Sequence, residues 1–408
     1  MNSGEALAWL YGVQPIGIKL GLENTHRLLE TLGVDTSSCT VWHVAGTNGK
    51  GSVCAFLESV LRTAGRRTGL FTSPHLVRFA ERIRVGFEPV EMDRLSQGIL
   101  RLRELVQGWE PHPTFFELTT GLALRIFLDE GIEDLVLETG MGGRLDATNA
   151  VRSDVAIVTS IGLDHQKWLG DTLGAIAGEK AGIFKPGVPA VVPANLPAEA
   201  MEVIRSHAAA QGSPLTVVEK PLPADWSLGL RGAHQRWNAA LAVAALRILR
   251  PDLDESVVRR GLAEASWPAR FQIFRGADRT VVVDGAHNPA AAEVLAETWR
   301  EEFGKQKPVL IFGTVGDKDA RSMFVILRQL ASRVIFTSVP TQRGRNGSEL
   351  AADLGMEPGD EVIEDPASAL DREKSGLVLV AGSLYLAGKA LACLEEGEGN
   401  AAFEASLQ

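Results

Sequence analysis

Short apolar runs alternate with longer segments of helical periodicity along the first two-thirds of the chain. The runs that are typical of buried strands cover 40–44, 67–72, 135–138, 155–160, 189–193 and 215–218. The helical segments between and after them cover about 52–64, 114–130, 172–184 and 235–249. Buried strands separated by helices predict a mainly parallel sheet that is covered by helices.

A second alternating series follows in the last third of the chain. Its predicted strands are 280–284, 309–312, 334–337 and 377–381, and its predicted helices lie near 290–303, 320–330 and 384–394. A series of this length can fold around a core of its own. We therefore predict an α/β protein with two domains: a larger N-terminal domain over 1–269, a linker over 270–279, and a smaller Rossmann-like α/β domain over 280–408.

Composition and charge exclude several classes of protein. The chain of 408 residues has a formal net charge of −10, which disfavours broad attraction to nucleic acid. No apolar run approaches the length of a membrane span, and the N-terminus lacks the pattern of a secretory signal. Three scattered cysteines, Cys39, Cys54 and Cys393, form neither a metal spacing nor a disulfide framework. We expect a cytoplasmic protein with no membrane partner.

A glycine-rich loop joins the first predicted strand to the helix that follows it. Its spacing departs from the usual G-x-x-x-x-G-K-[ST] pattern, but strand, loop and helix still present backbone N–H groups at a helix N-terminus, where phosphate binds. A lysine there can bridge phosphate oxygens, and a serine hydroxyl can bind Mg²⁺. A plain turn with a solvent-exposed lysine is the less favoured interpretation. The loop residues are Gly46, Thr47, Asn48, Gly49, Lys50, Gly51 and Ser52.

Three further polar residues of the first domain are candidates for chemistry. Glu138 ends a predicted strand and precedes a glycine-rich loop, at the edge of the sheet where α/β proteins bind ligands. His165 follows the next strand and is either a metal or phosphate contact or a structural histidine. Lys180 lies in the helical segment IAGEKAGIF, and the residues alone favour an exposed side chain there.

The second domain repeats one layout at two strand ends. In VVVDGAHNPAA, a tight strand-to-helix turn explains the glycine and the proline but leaves Asp284 and His287 unexplained. The segment VAGSLYLAGKA has the same arrangement and places Ser383 after a strand. Polar groups at two strand ends predict a ligand-binding face on this domain.

Eight motifs together closely resemble the folylpolyglutamate synthase and dihydrofolate synthase family, relatives of the Mur peptide ligases. In chain order they are HVAGTNGKGS, FTSPHL, LETGMGGRLDATN, TSIGLDHQKWLGDT, IAGEKAGIFK, GAHQRWNAA, VVVDGAHNP and AGSLYLAG. The resemblance implies that the glycine loop is that superfamily's own P-loop and that the first domain is P-loop ATPase-like. It also implies that ATP phosphorylates a substrate carboxylate, that the amine of L-glutamate attacks the acyl phosphate, and that phosphate leaves to give an amide.

The resemblance also implies roles for individual residues. Ser52 and Glu138 would bind one Mg²⁺, while Glu138, His165 and a carbamate on Lys180 would serve a second, with Ser73 nearby. This reverses the exposed interpretation of Lys180, and K⁺ is a further candidate cation. The catalytic residues implied are Lys50, Glu138, His165 and Lys180.

Substrate contacts follow from the same resemblance. ATP would be bound by the glycine loop together with Asn238, Arg270 and Asp284. The pterin side of the folate would contact Thr114, Phe116 and Ala147, and the incoming glutamate would contact His287 and Ser383.

The motifs LDHQKWLGDT and RLDATN resemble the bifunctional bacterial type, which implies both dihydropteroate and folate tails as acceptors. A synthase that only extends tails is the alternative. Two other classes stay open: a P-loop phosphotransferase or GTPase-like switch, and a non-catalytic nucleotide-binding scaffold. We expect small-molecule substrates only, and a monomer.

Overall fold

The computed structural model describes residues 3–13, 21–316, 318–341 and 343–396, and these divide into two compact units. The first unit holds the described residues up to Pro74, together with Ala80–Gly229 and Gln235–Ser266. The second holds His75–Phe79, Leu230–His234 and the described residues from Trp267 onward. Two short segments from within the first two-thirds of the chain therefore belong to the second unit. No local sequence pattern indicates that these two segments belong to the second unit.

The first unit is built on an eight-stranded sheet, in the order β4-β3-β2-β5-β1-β6-β7-β8. In this spatial order, every neighbouring pair in the series β2-β5-β1-β6-β7-β8 is parallel. At the other edge, β3 pairs antiparallel with β2, and β4 pairs antiparallel with β3. The six strands that the sequence predicts here are confirmed. The strands are β1 Thr40–Ala45, β2 Thr68–Phe71, β3 Ile83–Val85, β4 Glu88–Pro89, β5 Asp134–Glu138, β6 Val155–Val158, β7 Ala190–Pro193 and β8 Leu215–Val218.

Helices cover this sheet and connect its strands. In the described chain up to residue 266 they are α1 Ser3–Gly12, α2 Glu23–Thr31, α3 Lys50–Thr63, α4 Met92–Leu105, α5 Phe115–Asp129, α6 Gln166–Leu169, α7 Leu173–Ala181, α8 Ala198–Gln211, α9 Ala233–Leu249 and α10 Glu255–Glu264. Eleven residues of α3, from Gly51 to Leu61, are buried, so this helix lies in the core and not on the surface. The four predicted helices correspond to α3, α5, α7 and α9.

The second unit has a six-stranded sheet in the order β13-β12-β11-β14-β10-β9, which is parallel except for β9. Its strands are β9 Gln272–Arg275, β10 Arg279–Val283, β11 Val309–Phe312, β12 Arg333–Phe336, β13 Glu361–Val362 and β14 Gly376–Ala381. Its helices are α11 Pro289–Phe303, α12 Ala320–Arg328, α13 Gly347–Leu354, α14 Pro366–Arg372 and α15 Leu384–Glu396. This confirms a mixed α/β fold with two mainly parallel sheets.

Residues 270–279 were predicted to be a linker, but the structure has a strand there. The segment contains β9, which pairs antiparallel with β10, so that Ile273 lies opposite Val282 and Phe274 opposite Val281. A hydrogen bond from Gly276 N to Arg279 O closes the turn between these strands. Only two apolar residues mark β9, which is too short a signal to separate an edge strand from a connection.

Each face of the second sheet has its own apolar core. One is centred on Trp299, Leu310 and Phe336, and the other on Val281, Ile335 and Leu391. In the first unit, the face beside α7 and α8 has a core that includes Val158, Ile176 and Ile204. Within the described residues, no helix is long and apolar enough to cross a membrane.

Candidate active site

Two glycines of the loop after β1 stand where no other residue fits. Gly46 has a φ of 156°, and a Cβ there would lie 1.9 Å from Thr159 Oγ1. Gly49 precedes α3 in the left-handed region, with a φ of 89°, and a Cβ there would lie 2.6 Å from Asn238 Oδ1. The unusual spacing of the loop therefore follows from two close approaches, one to the end of β6 and one to α9.

The end of β6 fixes the loop by hydrogen bonds. Thr159 Oγ1 and Ser160 Oγ donate to Asn48 O at 2.6 and 2.9 Å, and Thr47 N donates to Ser160 O at 2.8 Å. No side chain caps the N-terminus of α3 at Gly49. The N–H groups of its first turn are thus presented by a rigid loop, as an anion-binding site requires.

Two lysines donate to the same backbone carbonyl of this loop. Lys50 Nζ lies 3.1 Å from Gly46 O, and Lys180 Nζ lies 3.0 Å from it. Lys180 is only 4% exposed, so the interpretation from the residues alone, an exposed lysine, is wrong. Burial, reinforced by the charge of Lys50, lowers the pKa of Lys180 to about 7. A substantial fraction of this side chain is therefore a neutral amine near neutral pH.

Glu138 lies at the carboxyl end of β5, beside Val44 of β1 in the parallel register. It is 6% exposed, and its Oε2 accepts a hydrogen bond from Ser73 N at 3.2 Å. The hydroxyl oxygen of Ser73 is buried without a hydrogen-bond partner. A buried hydroxyl beside a carboxylate gives two oxygen ligands of the kind that Mg²⁺ prefers.

Ser52 adds a second hydroxyl in the first turns of α3. It is 1% exposed and accepts a hydrogen bond from Gln235 Nε2 at 3.2 Å. Among the described residues, no three His, Cys, Asp or Glu side chains gather into a group that could hold a metal ion. The predicted ligand set has a different character, because hydroxyls and a modified lysine complete it and because nucleotide-bound Mg²⁺ takes much of its shell from phosphate and water.

His165 occupies a strained turn immediately before α6. Its φ of 52° is left-handed, its carbonyl accepts from Trp168 N and Leu169 N, and its side chain is exposed. The backbone N–H of His165 donates to Asp164 Oδ1 at 2.9 Å. Left-handed backbone at a residue other than glycine is sparsely populated and recurs at functional turns. The metal role of His165 stays a prediction.

The residues predicted for the pterin occupy the start of α5 and the loop after Glu138. Thr114 caps α5: its Oγ1 accepts from Glu117 N at 3.3 Å, and Thr114 N donates to Glu117 Oε2 at 2.7 Å. The half-buried Phe116 ring packs on Phe71 with centroids 5.8 Å apart. A Cβ on Gly140 would lie 2.6 Å from the Phe116 ring, so this ring lies directly against the loop.

Asp146 organises the loop after Glu138 by accepting hydrogen bonds from its backbone. The sequence analysis did not assign this role to Asp146. Its Oδ2 accepts from Gly140 N at 2.8 Å and from Met141 N at 2.9 Å, and its Oδ1 accepts from Thr148 N at 3.0 Å. Burial raises the pKa of Asp146. The predicted contact Ala147 is buried in the short 3₁₀ helix Ala147–Ala150 that Asp146 caps.

The sequence analysis also did not single out His43 and Gln235, whose side chains make buried hydrogen bonds near the site. His43 lies on β1, and its Nε2 is 2.8 Å from Thr148 Oγ1, while burial lowers its pKa to about 3. Gln235 lies three residues before the predicted nucleotide contact Asn238, on the same face of α9. The spacing within GAHQRWNAA could have indicated that face.

In the second unit, Asp284 is half-buried and follows the last residue of β10. Its Oδ2 accepts from Phe271 N and its Oδ1 from Ala286 N, both at 2.8 Å. Burial raises the pKa of Asp284, and the charge of Arg270 opposes that rise. The structure therefore brings Arg270 and Asp284 together, and Asp284 also anchors the backbone before β9.

The remaining residues predicted for this unit lie at the same sheet edge. His287 Nδ1 is 2.8 Å from Gly285 O, so this ring nitrogen is the donor. Ser383 is 1% exposed and accepts from Tyr385 N at 3.2 Å. A hydrogen bond from Gly382 N to Ala286 O links the two turns that carry them.

Two family models match the chain. The Mur ligase middle domain matches residues 44–246, and the Mur ligase glutamate ligase domain matches residues 269–384. A dihydrofolate synthase/folylpolyglutamate synthase of Bacillus subtilis is 33% identical over 416 residues, which cover 93% of this chain and 96% of that protein.

Solved structures agree with these matches. Escherichia coli FolC in complex with DHPP and ADP is 33% identical, with a TM-score of 0.87 and coverage of 97% of this chain and 98% of that one. A Yersinia pestis bifunctional folylpolyglutamate synthase/dihydrofolate synthase complexed with AMPPNP and Mn ion is 31% identical, with a TM-score of 0.86 and coverage of 97% and 98%. The chain belongs to the dihydrofolate synthase/folylpolyglutamate synthase family of Mur ligases.

Proposed function

We propose that this protein joins L-glutamate to dihydropteroate, and to the γ-glutamyl tails of folates, in an ATP-dependent ligation. The observation that carries the proposal is the phosphate loop itself. The loop leads into an uncapped helix N-terminus that carries Lys50 and Ser52. The buried Lys180 donates to the same loop carbonyl as Lys50. An ATPase switch needs the helix N-terminus, Lys50 and Ser52, whereas the buried Lys180 at this carbonyl is a lysine beyond that set.

ATP would bind with its phosphates on the N–H groups of α3, and Lys50 would leave Gly46 O to bridge phosphate oxygens. Ser52 and Glu138 would hold Mg²⁺, whose chemistry there is to neutralise charge on the transferred phosphoryl group. The rigid hydrogen bonds between Asn48 and the end of β6 keep these donors in place before the reaction. Asn238 packs against Gly49 and would contact the nucleotide from α9.

Lys180 would act as a carbamate. Its neutral amine attacks the carbon of CO₂ and releases a proton, which converts a buried cation into an anionic oxygen ligand. With His165 and Glu138 this ligand would hold a second divalent ion. The lowered pKa and the burial of Lys180 support this, because an uncharged buried amine is the form that reacts. We assign no K⁺ site.

The folate contacts remain proposals from the resemblance, and the structure supports some of them. The Phe116 ring, backed by Phe71 and Gly140, offers a flat surface to a heteroaromatic pterin. The Thr114 hydroxyl already caps α5 and Ala147 is buried, so these two residues would contribute to the shape of the pterin site and not to its hydrogen bonds. In the second unit His287 and Ser383 would contact glutamate, and Arg270 and Asp284 the nucleotide. We further propose a cytoplasmic monomer.

The direct test supplies purified protein with dihydropteroate, L-glutamate, ATP and Mg²⁺. We expect equal amounts of dihydrofolate, ADP and phosphate, and elongation when a reduced folate replaces dihydropteroate. Elongation without any dihydrofolate would establish the alternative, a synthase that only extends tails. Phosphate release that ignores glutamate and folate would indicate a phosphotransferase or switch, and ADP binding without turnover would indicate a scaffold.

A further inference from the structure

A chain of two buried side-chain amides connects α9 to the hydroxyl of Ser52. Gln235 Nε2 donates to Ser52 Oγ at 3.2 Å, and Asn238 Nδ2 donates to Gln235 Oε1 at 2.9 Å. Gln235 is 1% exposed and Asn238 is 8% exposed. We infer that Gln235 is a positioning residue, which orients the Ser52 hydroxyl so that its free lone pair faces the magnesium ion. This inference rests on the proposed metal role of Ser52.

The argument follows from the valence of a hydroxyl group. A serine oxygen has one hydrogen and two lone pairs, and its hydrogen rotates freely unless a partner fixes it. The N–H of Gln235 occupies one lone pair, so the second lone pair and the hydrogen are restricted to the two remaining tetrahedral directions. A metal ligand that is already oriented binds without the cost of ordering it.

The second amide explains why Gln235 presents its nitrogen to Ser52. Asn238 Nδ2 donates to the oxygen of Gln235, so the amide of Gln235 has its acceptor end occupied and its donor end directed at Ser52. Asn238 is itself held against Gly49, where a Cβ would lie 2.6 Å from its Oδ1. The orientation is therefore transmitted from the glycine loop through α9 and back to α3.

A purely structural role for the amide pair predicts something different. In that case Gln235 would stabilise the packing of α9 on α3, and its loss would affect the site whether or not Ser52 has a hydroxyl. If Gln235 acts through Ser52, its loss has no further effect once the hydroxyl is gone. A double-mutant cycle separates the two roles.

The experiment measures ADP binding by calorimetry in the full-length protein, with increasing Mg²⁺ and, separately, with EDTA. Gln235→Met keeps the length of the side chain and removes both hydrogen bonds. We expect it to raise the Mg²⁺ concentration for half-maximal enhancement of binding by about 10-fold. Ser52→Ala should raise it at least as much, and the double variant no more than Ser52→Ala alone. ADP affinity in EDTA should not change in Gln235→Met.

Ser59→Ala is the matched control on the same helix. Ser59 is buried and donates to Gly261 O at 2.7 Å, on the far side from the loop, so its loss should cost stability without moving the Mg²⁺ midpoint. Additive effects in the double variant, or an equal loss of ADP affinity in EDTA, would overturn the inference. If Ser52→Ala alone leaves the midpoint unchanged, then the metal role of Ser52 fails. If only Gln235→Met leaves it unchanged, then the inference fails and the proposed function stands.

Discussion

The two carboxylates at opposite ends of β5 have opposite environments. Asp134, at the start of the strand, is completely buried and accepts from Trp42 Nε1 at 3.0 Å, Arg66 Nε at 2.7 Å and Arg250 Nη2 at 2.9 Å. Glu138, four residues later, is also buried, but it lies beside a backbone N–H and the unpartnered hydroxyl of Ser73. Asp134 accepts hydrogen bonds from two arginines and an indole N–H, whereas Glu138 accepts one from the backbone N–H of Ser73.

On the proposed function, the difference means that one strand serves both stability and chemistry. The amino end of a parallel sheet contributes no ligand site, so a buried charge there must be compensated by the protein itself. The carboxyl end faces the ligand, and a carboxylate there can be completed by a metal ion that the substrate brings. Substitutions at the two ends should therefore change different measured quantities.

Removal of Asp134 should have the largest effect on stability. Asp134→Ala leaves Arg66, Arg250 and the Trp42 N–H without their buried acceptor. Breaking such a pair costs about 3 kcal/mol of unfolding free energy. Urea unfolding followed by circular dichroism measures it, with Glu255→Ala, which breaks an exposed pair with Arg259, as the control at under about 1 kcal/mol. Equal stability of the two variants would contradict the assigned structural role.

Removal of the Glu138 charge should affect catalysis instead. Glu138→Gln keeps the shape of the side chain and an acceptor for Ser73 N, but it loses the anionic metal ligand. We expect turnover to fall by at least about 100-fold, because even indirect metal partners account for 10- to 100-fold. The free energy of unfolding should stay within about 1 kcal/mol of the parent, a typical bound for a conservative change. Unchanged turnover in initial-rate assays would remove Glu138 from the metal site.

The sequence indicates the carboxyl end of β5 more clearly than its amino end. Glu138 follows an apolar run and precedes glycines, so both its position and its chemistry are local signals. Asp134 has no local signal, since its partners lie 68 to 116 residues away in sequence. The same holds for β9, which only pairing with β10 reveals, and for Gln235, whose partner Ser52 is 183 residues distant.

Lys180 shows where residue type and tertiary context disagree. The segment IAGEKAGIF is otherwise apolar, and the residues alone favour an exposed charge over a buried functional lysine there. Close packing buries the lysine instead: Cβ atoms on Gly143 and Gly182 would lie 2.9 Å from Lys180 O and 2.3 Å from Arg144 Cβ. The glycines of this segment serve packing between a helix and a loop. Their weak helix propensity predicts such close packing, but it does not indicate that the packing buries Lys180.

The carbamate proposed on Lys180 gives a pH-dependent test at the carboxyl end of β5. A lysine pKa lowered to about 7 means that the neutral amine gains population as the pH rises through 7. With ¹³C-labelled bicarbonate, we expect an NMR carbamate signal that is strong at pH 8 and decreases about 10-fold by pH 6, following the neutral fraction. Lys180→Met should lack the signal at every pH. A signal that is absent from the parent protein at pH 8 would rule out the carbamate.

The smallest effect should come from the ion pair between the loop after Glu138 and the helix of Lys180. Arg144 donates to Glu179 Oε1 through Nε at 3.1 Å and Nη2 at 2.7 Å, and its backbone N donates to Glu179 O at 2.7 Å. Arg144→Leu removes only the side-chain bonds. The Arg144 side chain is 54% exposed, so the change in unfolding free energy should be under about 1 kcal/mol.

Activity should respond slightly more than stability to this change, since the pair holds Lys180 relative to Glu138. We expect a loss of about 2- to 5-fold in kcat, below the 10-fold lower bound for groups that contact metal ligands directly. Arg231→Leu, which breaks a comparable exposed pair with Glu302 in the second unit, is the matched control and should leave kcat unchanged. Equal losses in both variants would mean that the Arg144–Glu179 pair does nothing specific for the site. The functional end of β5 would then depend on backbone packing alone, as the bond from Arg144 N to Glu179 O would remain.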